Sequence, residues 1–306
     1  MTIRFDNKVV IITGAGNGLG RSHALGLAAR GAKVVVNDFG GAVDGSGGNI
    51  SPAEEVVKKI KDGGGEAFAN GANVTNIEEV QQMVSETIER WGRVDILINN
   101  AGILRDKTFA KMPLDDFRSV IDVHLMGSVN CSKAVWDVMS KQQSGTIIFT
   151  TSSSGLYGNF GQSNYGAAKM SLVGLMNVLH LEGIKYGIKV NAISPCAATR
   201  MLEGLVDQEA SEVLTTESVT AGLMYLASEQ SPSRLILCAG AGGYAAARIY
   251  ETDGVYLPPE QQTPENIANV IDQITAADEQ KMLIQGNEQT VKFVEKALTA
   301  KQQQGN

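Results

Sequence analysis

The sequence predicts a doubly wound α/β domain with a parallel seven-stranded sheet and helices on both faces, plus a C-terminal helical appendage. Three observations predict it. Short runs rich in Val and Ile alternate with longer stretches of helical periodicity from the N-terminus onward. Most of those runs are apolar nearly throughout instead of at every second residue, the pattern of strands that helices cover on both sides. A length of 306 residues suits one large domain with an addition, not two full domains.

In chain order, the candidate strands are 8–13 (KVVIIT), 33–37 (KVVVN), 66–70, 94–98 (VDILI), 146–150 (TIIFT), 189–193 (KVNAI) and 235–238. β-branched residues recur in them because such side chains crowd a helical turn but fit a pleated surface. Helical patterns fill the gaps at 18–30, 53–61, 77–90, 114–140, 165–185 and 219–227. Alternation of this kind requires right-handed crossovers. The segment 39–52 (FGGAVDGSGGNISP) is too rich in glycine for either element and is expected as a loop. After Gly254 the chain turns polar and carries Pro258, Pro259 and Pro264. A main domain at 1–253 is therefore expected, with an appendage at 254–306 packed on it and helical patterns near 264–275 and 288–298. The glutamine-rich tail after Thr299 is expected to fray.

Composition excludes several classes. A hydrophobic content of 43% with 19% charged residues is that of a folded globular chain, not a disordered one. The net charge of -7 argues against a nucleic-acid partner, which needs local positive charge to release counterions from phosphates. Cys131, Cys196 and Cys238 lack paired spacing, so no disulfide framework or zinc site is expected, and a reducing compartment fits. His23, His124 and His180 are scattered, and no metal is expected. No apolar run reaches the ~18 residues of a membrane span. The start lacks a signal-peptide layout, and the final residues are not a peroxisomal Ser-Lys-Leu tail. The expected location is cytoplasmic.

Directly after the first strand stands TGAGNGLG at 13–20, and then a helix. Its spacing is G-x-x-x-G-x-G, with glycines at 14, 18 and 20, not the strict G-x-G-x-x-G. The physics is shared: the strand must turn sharply into the helix, and a Cβ would keep the backbone from a pyrophosphate facing the helix N-terminal amides. A ligand-free glycine turn is the plainer alternative. The second strand ends at Asn37-Asp38, 18 residues beyond Gly20. A carboxylate there accepts from both ribose hydroxyls and repels a 2′-phosphate, which predicts NAD over NADP. Asp38 as a mere turn residue is the competing reading.

Tyr165 and Lys169 sit at i and i+4 and so share one helix face. A free tyrosine titrates near 10, and a neighbouring ammonium favours the phenolate, which moves the hydroxyl toward the range useful for general acid–base work. Of seven tyrosines only Tyr165 has a lysine four residues on. Thirteen residues earlier, Ser152 ends a candidate strand, where its hydroxyl can meet a substrate oxygen; a strand-end turn role is equally open.

Three signals thus occur in order: TGAGNGLG at 13–20, Asn99-Asn100-Ala101-Gly102 after the fourth strand, and Ser152 with Tyr165 and Lys169. Together they resemble the short-chain dehydrogenase/reductase family over about residues 7–245, which implies a Rossmann-type fold. The resemblance implies a nicotinamide cofactor, NAD, at Gly14, Asn17, Gly18, Leu19, Gly20, Asp38, Asn73, Val74, Asn100, Ala101, Gly102, Tyr165, Lys169 and Pro195, with Ser152, Tyr165 and Lys169 catalytic. The family often carries an asparagine on the following helix; here His124 stands in its place, and it is included in the expected catalytic set because a neutral imidazole also donates and accepts.

The stretch YGNFGQSNY at 157–165, the long loop after Asp38, SPCAATRM at 194–201, His124 and the appendage resemble the (3R)-hydroxyacyl-CoA dehydrogenase part of peroxisomal multifunctional enzymes of type 2, also called 17β-hydroxysteroid dehydrogenase type 4. That likeness implies oxidation of (3R)-hydroxyacyl-CoA to 3-oxoacyl-CoA by a stand-alone version without hydratase and sterol-carrier parts. The family's usual glycine after its proline is Cys196 here. Alternatives are a hydroxysteroid dehydrogenase, a 3-oxoacyl-ACP reductase and, from another class, a non-catalytic dinucleotide-binding regulator. The substrate is expected to be a small molecule, acyl-CoA or steroid, with no nucleic acid and no membrane as partner. The segment 201–213, apolar at Met201, Leu202, Leu205 and Val206, is expected either as a lid over an acyl chain or as ordinary core packing. The long helices 114–140 and 165–185 suggest a homodimer face.

Overall fold

The computed structural model describes residues 2–198 and 208–304. The first half alternates β1 (Val9–Thr13), α1 (Gly18–Ala28), β2 (Lys33–Asn37), α2 (Ser51–Asp62), β3 (Glu66–Asn70), α3 (Ile77–Trp91) and β4 (Ile96–Asn99). There follow α4 (Leu114–Ile121), α5 (Gly127–Gln142), β5 (Gly145–Thr150), α6 (Ser153–Tyr157), α7 (Ser163–Gly183) and β6 (Ile188–Cys196). Beyond residue 207 come α8 (Gln208–Val213), α9 (Thr216–Ala227), β7 (Ile236–Gly240) and β8 (Gly243–Ala247), then α10 (Pro264–Asn269), α11 (Ile271–Thr275) and α12 (Asn287–Gln304). Local chemistry punctuates some of these helices. The Asn76 side chain, for example, accepts from the N–H groups of Glu78 and Glu79 to start α3, and Gly92, at φ 75°, ends it.

One sheet runs in the order β3-β2-β1-β4-β5-β6-β7-β8. Its first seven strands are parallel, in register Val10↔Val34, Val34↔Ala67, Val10↔Ile96 and Ile96↔Thr146 along one row. On one face Val10, Ile12, Val34, Val36, Ile96 and Ile98 pack against Leu27 of α1, Val56 and Ile60 of α2 and Leu223 and Leu226 of α9. The intervening Val9, Ile11, Val35 and Leu97 are equally buried, because α5 and α7 lie against the strands on the other side. That double burial is why the strands are apolar throughout. The chain builds outward from β1 to β3 and then returns to build the other way from β4, so β1 and β4 flank a topological switch point.

Four features correct the sequence reading. The sheet has eight strands, not seven: a two-residue turn at Ala241 and Gly242, with φ 49° and 76°, returns the chain as β8. Two left-handed central residues make a hairpin turn. The sequence GYAAA hides this strand because its residues are mostly exposed and carry no apolar alternation. The helix expected at 114–140 is two helices joined by a π-helical turn at Asp122–Met126, where the Gly127 N–H donates to the Asp122 carbonyl five residues back. The short α6 was not anticipated. And α7 begins at Ser163, which places Tyr165 in its first turn.

The chain divides into two compact units, Met1–Ala246 and Ala247–Asn306. In the second, Lys292 pairs with Glu251 and Lys296 with Asp253, while Glu251 and Lys281 form a bridge and the Thr252 hydroxyl donates to the Ile274 carbonyl at 2.6 Å. None of its described side chains is buried. Among the described residues no helix is long and apolar enough to cross a membrane.

Candidate active site

The site is built from two turns on either side of the switch point. Gly14 and Gly18 hold φ of 64° and 51°, and a Cβ on Gly20 would lie 2.2 Å from the Gly14 carbonyl oxygen. The turn therefore demands glycine on both conformational and steric grounds. It is locked from β4: the Asn100 side-chain amide donates to the carbonyls of Thr13 at 3.0 Å and Gly14 at 3.1 Å. In return the Thr13 hydroxyl oxygen accepts from the N–H groups of Asn100 and Ala101, both at 3.0 Å. At the head of the 11-residue α1 the Asn17 side chain makes no cap hydrogen bond and no acid occupies the first turn. Its leading amides are left to face an anion, and the turn gives the backbone the close approach a pyrophosphate needs.

Asp38 follows β2 and uses each carboxylate oxygen once. One accepts from the Gly16 N–H and the other from the Gly40 N–H, both at 2.7 Å. The residue thus serves the turn after all, yet each oxygen keeps lone-pair capacity for a further donor. The loop that follows is strapped across the cleft. Leu104 N–H donates to the Val43 carbonyl, and the Arg105 Nε to the Asp44 carbonyl, both at 2.9 Å. Arg105 also reaches Asp116 and Ser119 of α4 at 3.2 Å each.

The third group converges from β5, α6 and α7. Lys169 is buried; its Nζ donates to the Thr150 carbonyl at 2.6 Å and lies 5.5 Å from the centre of the Tyr165 ring. Burial pushes the Lys169 ammonium down to about 7. Tyr165 is raised above its ordinary 10, first by burial, while a hydrogen bond with Ser152 lowers it and the Asp106 charge adds to the rise. This departs from the expectation that Lys169 would draw the phenol down. Removing the phenolate from water costs more than a lysine titrating near neutrality returns. Ser152 also begins α6, its Oγ accepting from the Ser154 N–H at 3.2 Å, so the turn role and the site role coexist in one side chain. His124 lies in the π-helical turn, edge-on to Tyr165.

These groups share a cavity of about 1250 Å³. All the residues expected at a cofactor border it except Gly20, which is buried beneath the turn: Gly14, Asn17, Gly18 and Leu19 on one wall, Asp38 and Asn73-Val74 on the next, and Asn100, Ala101 and Gly102 with Tyr165, Lys169 and Pro195 beyond. Ser152 and His124 border it as well. Sequence reasoning missed Arg105, Asn130 and the loop residues Val43 and Gly45, which reach the same wall. Only the position of Arg105, three residues after Gly102, hinted at a place near the site. Within the segment 201–213, residues 201–207 lie outside the described residues, and α8, which covers the rest, does not border the cavity. Uncapped amides behind a glycine turn, a strand-end carboxylate and a phenol–ammonium pair in one cleft together fit a dinucleotide with a small alcohol or ketone.

Comparison with known proteins gives the family. The chain is 47% identical over 276 residues to the peroxisomal hydratase-dehydrogenase-epimerase of Saccharomyces cerevisiae, a match covering 89% of this chain and 30% of the relative. The full-length peroxisomal multifunctional enzyme type 2 from Drosophila melanogaster superposes with a TM-score of 0.80 at 33% identity, over 97% of this chain and 50% of that one. A 7α-hydroxysteroid dehydrogenase complexed with NADH and 7-oxo glycochenodeoxycholic acid superposes with a TM-score of 0.71 at 30% identity, over 78% of this chain and 95% of that one. The chain thus spans about a third of the yeast relative and half of the Drosophila chain. Residues 8–210 match the short chain dehydrogenase family, and the chain belongs to it as an oxidoreductase acting on CH–OH groups.

Proposed function

We propose that the protein uses NAD to oxidise the hydroxyl of a (3R)-hydroxyacyl-CoA to the 3-oxoacyl-CoA. The observation that carries this reading is the phenol of Tyr165 beside the buried Lys169, in the same cleft as Ser152 and the glycine turn. When bound, the nicotinamide supplies the hydride acceptor. The Ser152 hydroxyl holds the substrate oxygen, Tyr165 takes its proton, and Lys169, when protonated, favours the phenolate beside it. Asp38 receives the adenosine ribose and disfavours a 2′-phosphate. A 3-oxoacyl-[acyl-carrier-protein] reductase of Synechocystis is also a relative, at 37% identity over 254 residues against 47% for the yeast hydratase-dehydrogenase-epimerase, so an ACP-bound substrate is a further reading. The steroid complex of the 7α-hydroxysteroid dehydrogenase keeps a steroid alcohol as the second reading.

Two further features belong to this proposal. On α7, Met170, Val178 and Leu181 are exposed at helical spacing beside Gly174, whose Cβ position is open; this supports a homodimer formed through the long helices. A cytoplasmic location is retained as a proposal, although the yeast and Drosophila relatives are named as peroxisomal; imaging a tagged chain tests it. Function is tested by assaying (3R)- and (3S)-hydroxyacyl-CoA and a 17β-hydroxysteroid with NAD and NADP. The expected result is NADH formation from the (3R) thioester. NADH from the steroid alone, or from neither, would overturn the substrate assignment.

A further inference from the structure

One polar side chain on the cavity wall has no part in the proton-transfer set. Gln162 borders the cavity and precedes α7, three residues before Tyr165, yet its side chain makes no cap hydrogen bond to the helix. Its amide is held from two other sides. The Nε2 donates to Asp106 Oδ2 at 2.6 Å, and the Oε1 accepts from Asn159 Nδ2 at 3.0 Å. Backbone bonds stitch the same two segments together. The Lys107 N–H donates to the Gly161 carbonyl at 3.0 Å, and the Asn164 amide donates to the Arg105 carbonyl at 2.9 Å. These partners fix which way the amide faces, because the reversed amide would set its oxygen against the Asp106 carboxylate. A primary amide has two N–H donors. Asp106 engages one, and among the described residues the other has no partner.

We propose that this second N–H of Gln162 donates to the carbonyl oxygen of a β-hydroxyacyl thioester and selects that class over steroid alcohols, with Asp106 as a positioning residue that acts through it. The inference rests on the hydroxyacyl reading of the substrate and names how that substrate is told apart. A β-hydroxyacyl thioester carries a hydroxyl on its third carbon and a carbonyl on its first. Ser152 and Tyr165 serve the hydroxyl. The carbonyl is an uncharged acceptor, and enclosing it without a donor is costly. A steroid alcohol with no acceptor two carbons from its carbinol carbon leaves the Gln162 N–H unmatched. A carboxylate on the far side of the amide strengthens the remaining N–H as a donor. The segment stitched to Gln162 carries three charges, Arg105, Asp106 and Lys107, and both cations pair with Asp116. Asp106 is thus the charge that acts on the amide, and it also raises the Tyr165 phenol, so donor and phenol serve one cleft.

Oxidation of (3R)-hydroxybutyryl-CoA by the full chain tests this. Gln162→Leu keeps the bulk and removes the donor. Its kcat/KM should fall about five- to fiftyfold, mostly through KM, with NADH binding by fluorescence retained. Gln162→Glu sets a second carboxylate beside Asp106, and close carboxylates retain a proton to higher pH. The new side chain donates only when protonated, so the ratio of variant to wild-type kcat/KM should rise about threefold or more as pH falls from 8 to 5.5. A packing role would not give that response. Asp106→Asn, which keeps an acceptor for the amide, should recover most of what Asp106→Ala loses. Wild-type kcat/KM in Gln162→Leu, a flat ratio in Gln162→Glu, or a loss wholly explained by weaker NADH binding would overturn the proposal. Wild type that oxidises no hydroxyacyl thioester would remove the substrate reading and this inference with it. Wild type active on the thioester with Gln162→Leu unimpaired would remove only the role of Gln162.

Discussion

At Tyr165 burial, helped by the Asp106 charge, raises the phenol above its ordinary 10 against the lowering effect of Ser152, while burial takes its lysine neighbour down to about 7. Oxidation of an alcohol needs the phenolate, whereas reduction of a ketone needs the phenol. Initial rates of oxidation should therefore climb as pH rises from about 7 to 9, while the reverse reaction stays flat or falls over the same range; parallel profiles would contradict the assignment of Tyr165. Replacing it, Tyr165→Phe, should lower kcat by roughly 10²–10⁴ with NADH binding, followed by fluorescence, nearly intact. Asp38→Ala should shift the ratio of kcat/KM for NAD and NADP toward NADP, and an unchanged ratio would show that the carboxylate does not select the cofactor. These side chains were legible in the sequence because each is tied to a short-range constraint: four residues of helix place Lys169 with Tyr165, and a strand end presents Asp38. The direction of the Tyr165 shift was not legible, since it depends on how much of the ring other elements cover.

Elements carry the next layer. The loop between β2 and α2 owes its course over the cleft to Arg105, which holds the Asp44 carbonyl and α4 at once. Surface pairs of this kind are worth up to about 1 kcal/mol. Arg105→Ala should thus raise KM for the dinucleotide by roughly two- to fivefold and quicken proteolytic cleavage within 39–50, as limited digestion followed by mass spectrometry would reveal. The glycine content of 39–52 announced a loop but not its anchor, because the anchoring arginine lies some sixty residues away. The π-helical break at Asp122–Met126 was likewise invisible. Its residues read as continuous helix, and just after it Gly127 packs closely on Val74, where a Cβ would come within 2.7 Å of the Val74 side chain. β8 escaped notice for the opposite reason: an exposed strand has no buried face to impose alternation.

For the whole molecule, the packing of α1 on α9 encloses a polar cluster in an apolar layer. His23 Nδ1 lies 2.7 Å from the Thr220 hydroxyl, which Ser22 also meets at 2.8 Å, and His23 Nε2 has no partner. Burial depresses the His23 imidazole to about 3. The unfolded chain, with its histidine near 6.5, binds a proton that the folded chain refuses, so stability contributed by keeping His23 neutral is present above about 6.5 and lost as pH falls toward 3. His23→Asn keeps a hydrogen-bonding group near Nδ1 but cannot titrate. Urea midpoints measured from pH 7 down to 4.5 should fall more steeply for wild type than for the variant, and equal slopes would remove His23 from the acid response.

The order of the first seven strands and the main helices between them, the glycine turn, Asp38 and the Tyr165–Lys169 pair could be read along the chain, since periodicity, turn chemistry and i, i+4 spacing are local consequences of backbone geometry. Folding supplied the rest: the Asn100 clasp on the glycine turn, the Arg105 strap, the tyrosine raised by burial and the glutamine held by Asp106. Each of these pairs groups that are distant in sequence and adjacent only once the sheet has brought the ends of β1, β4 and β5 side by side, and no local pattern encodes the distance or the dielectric between them.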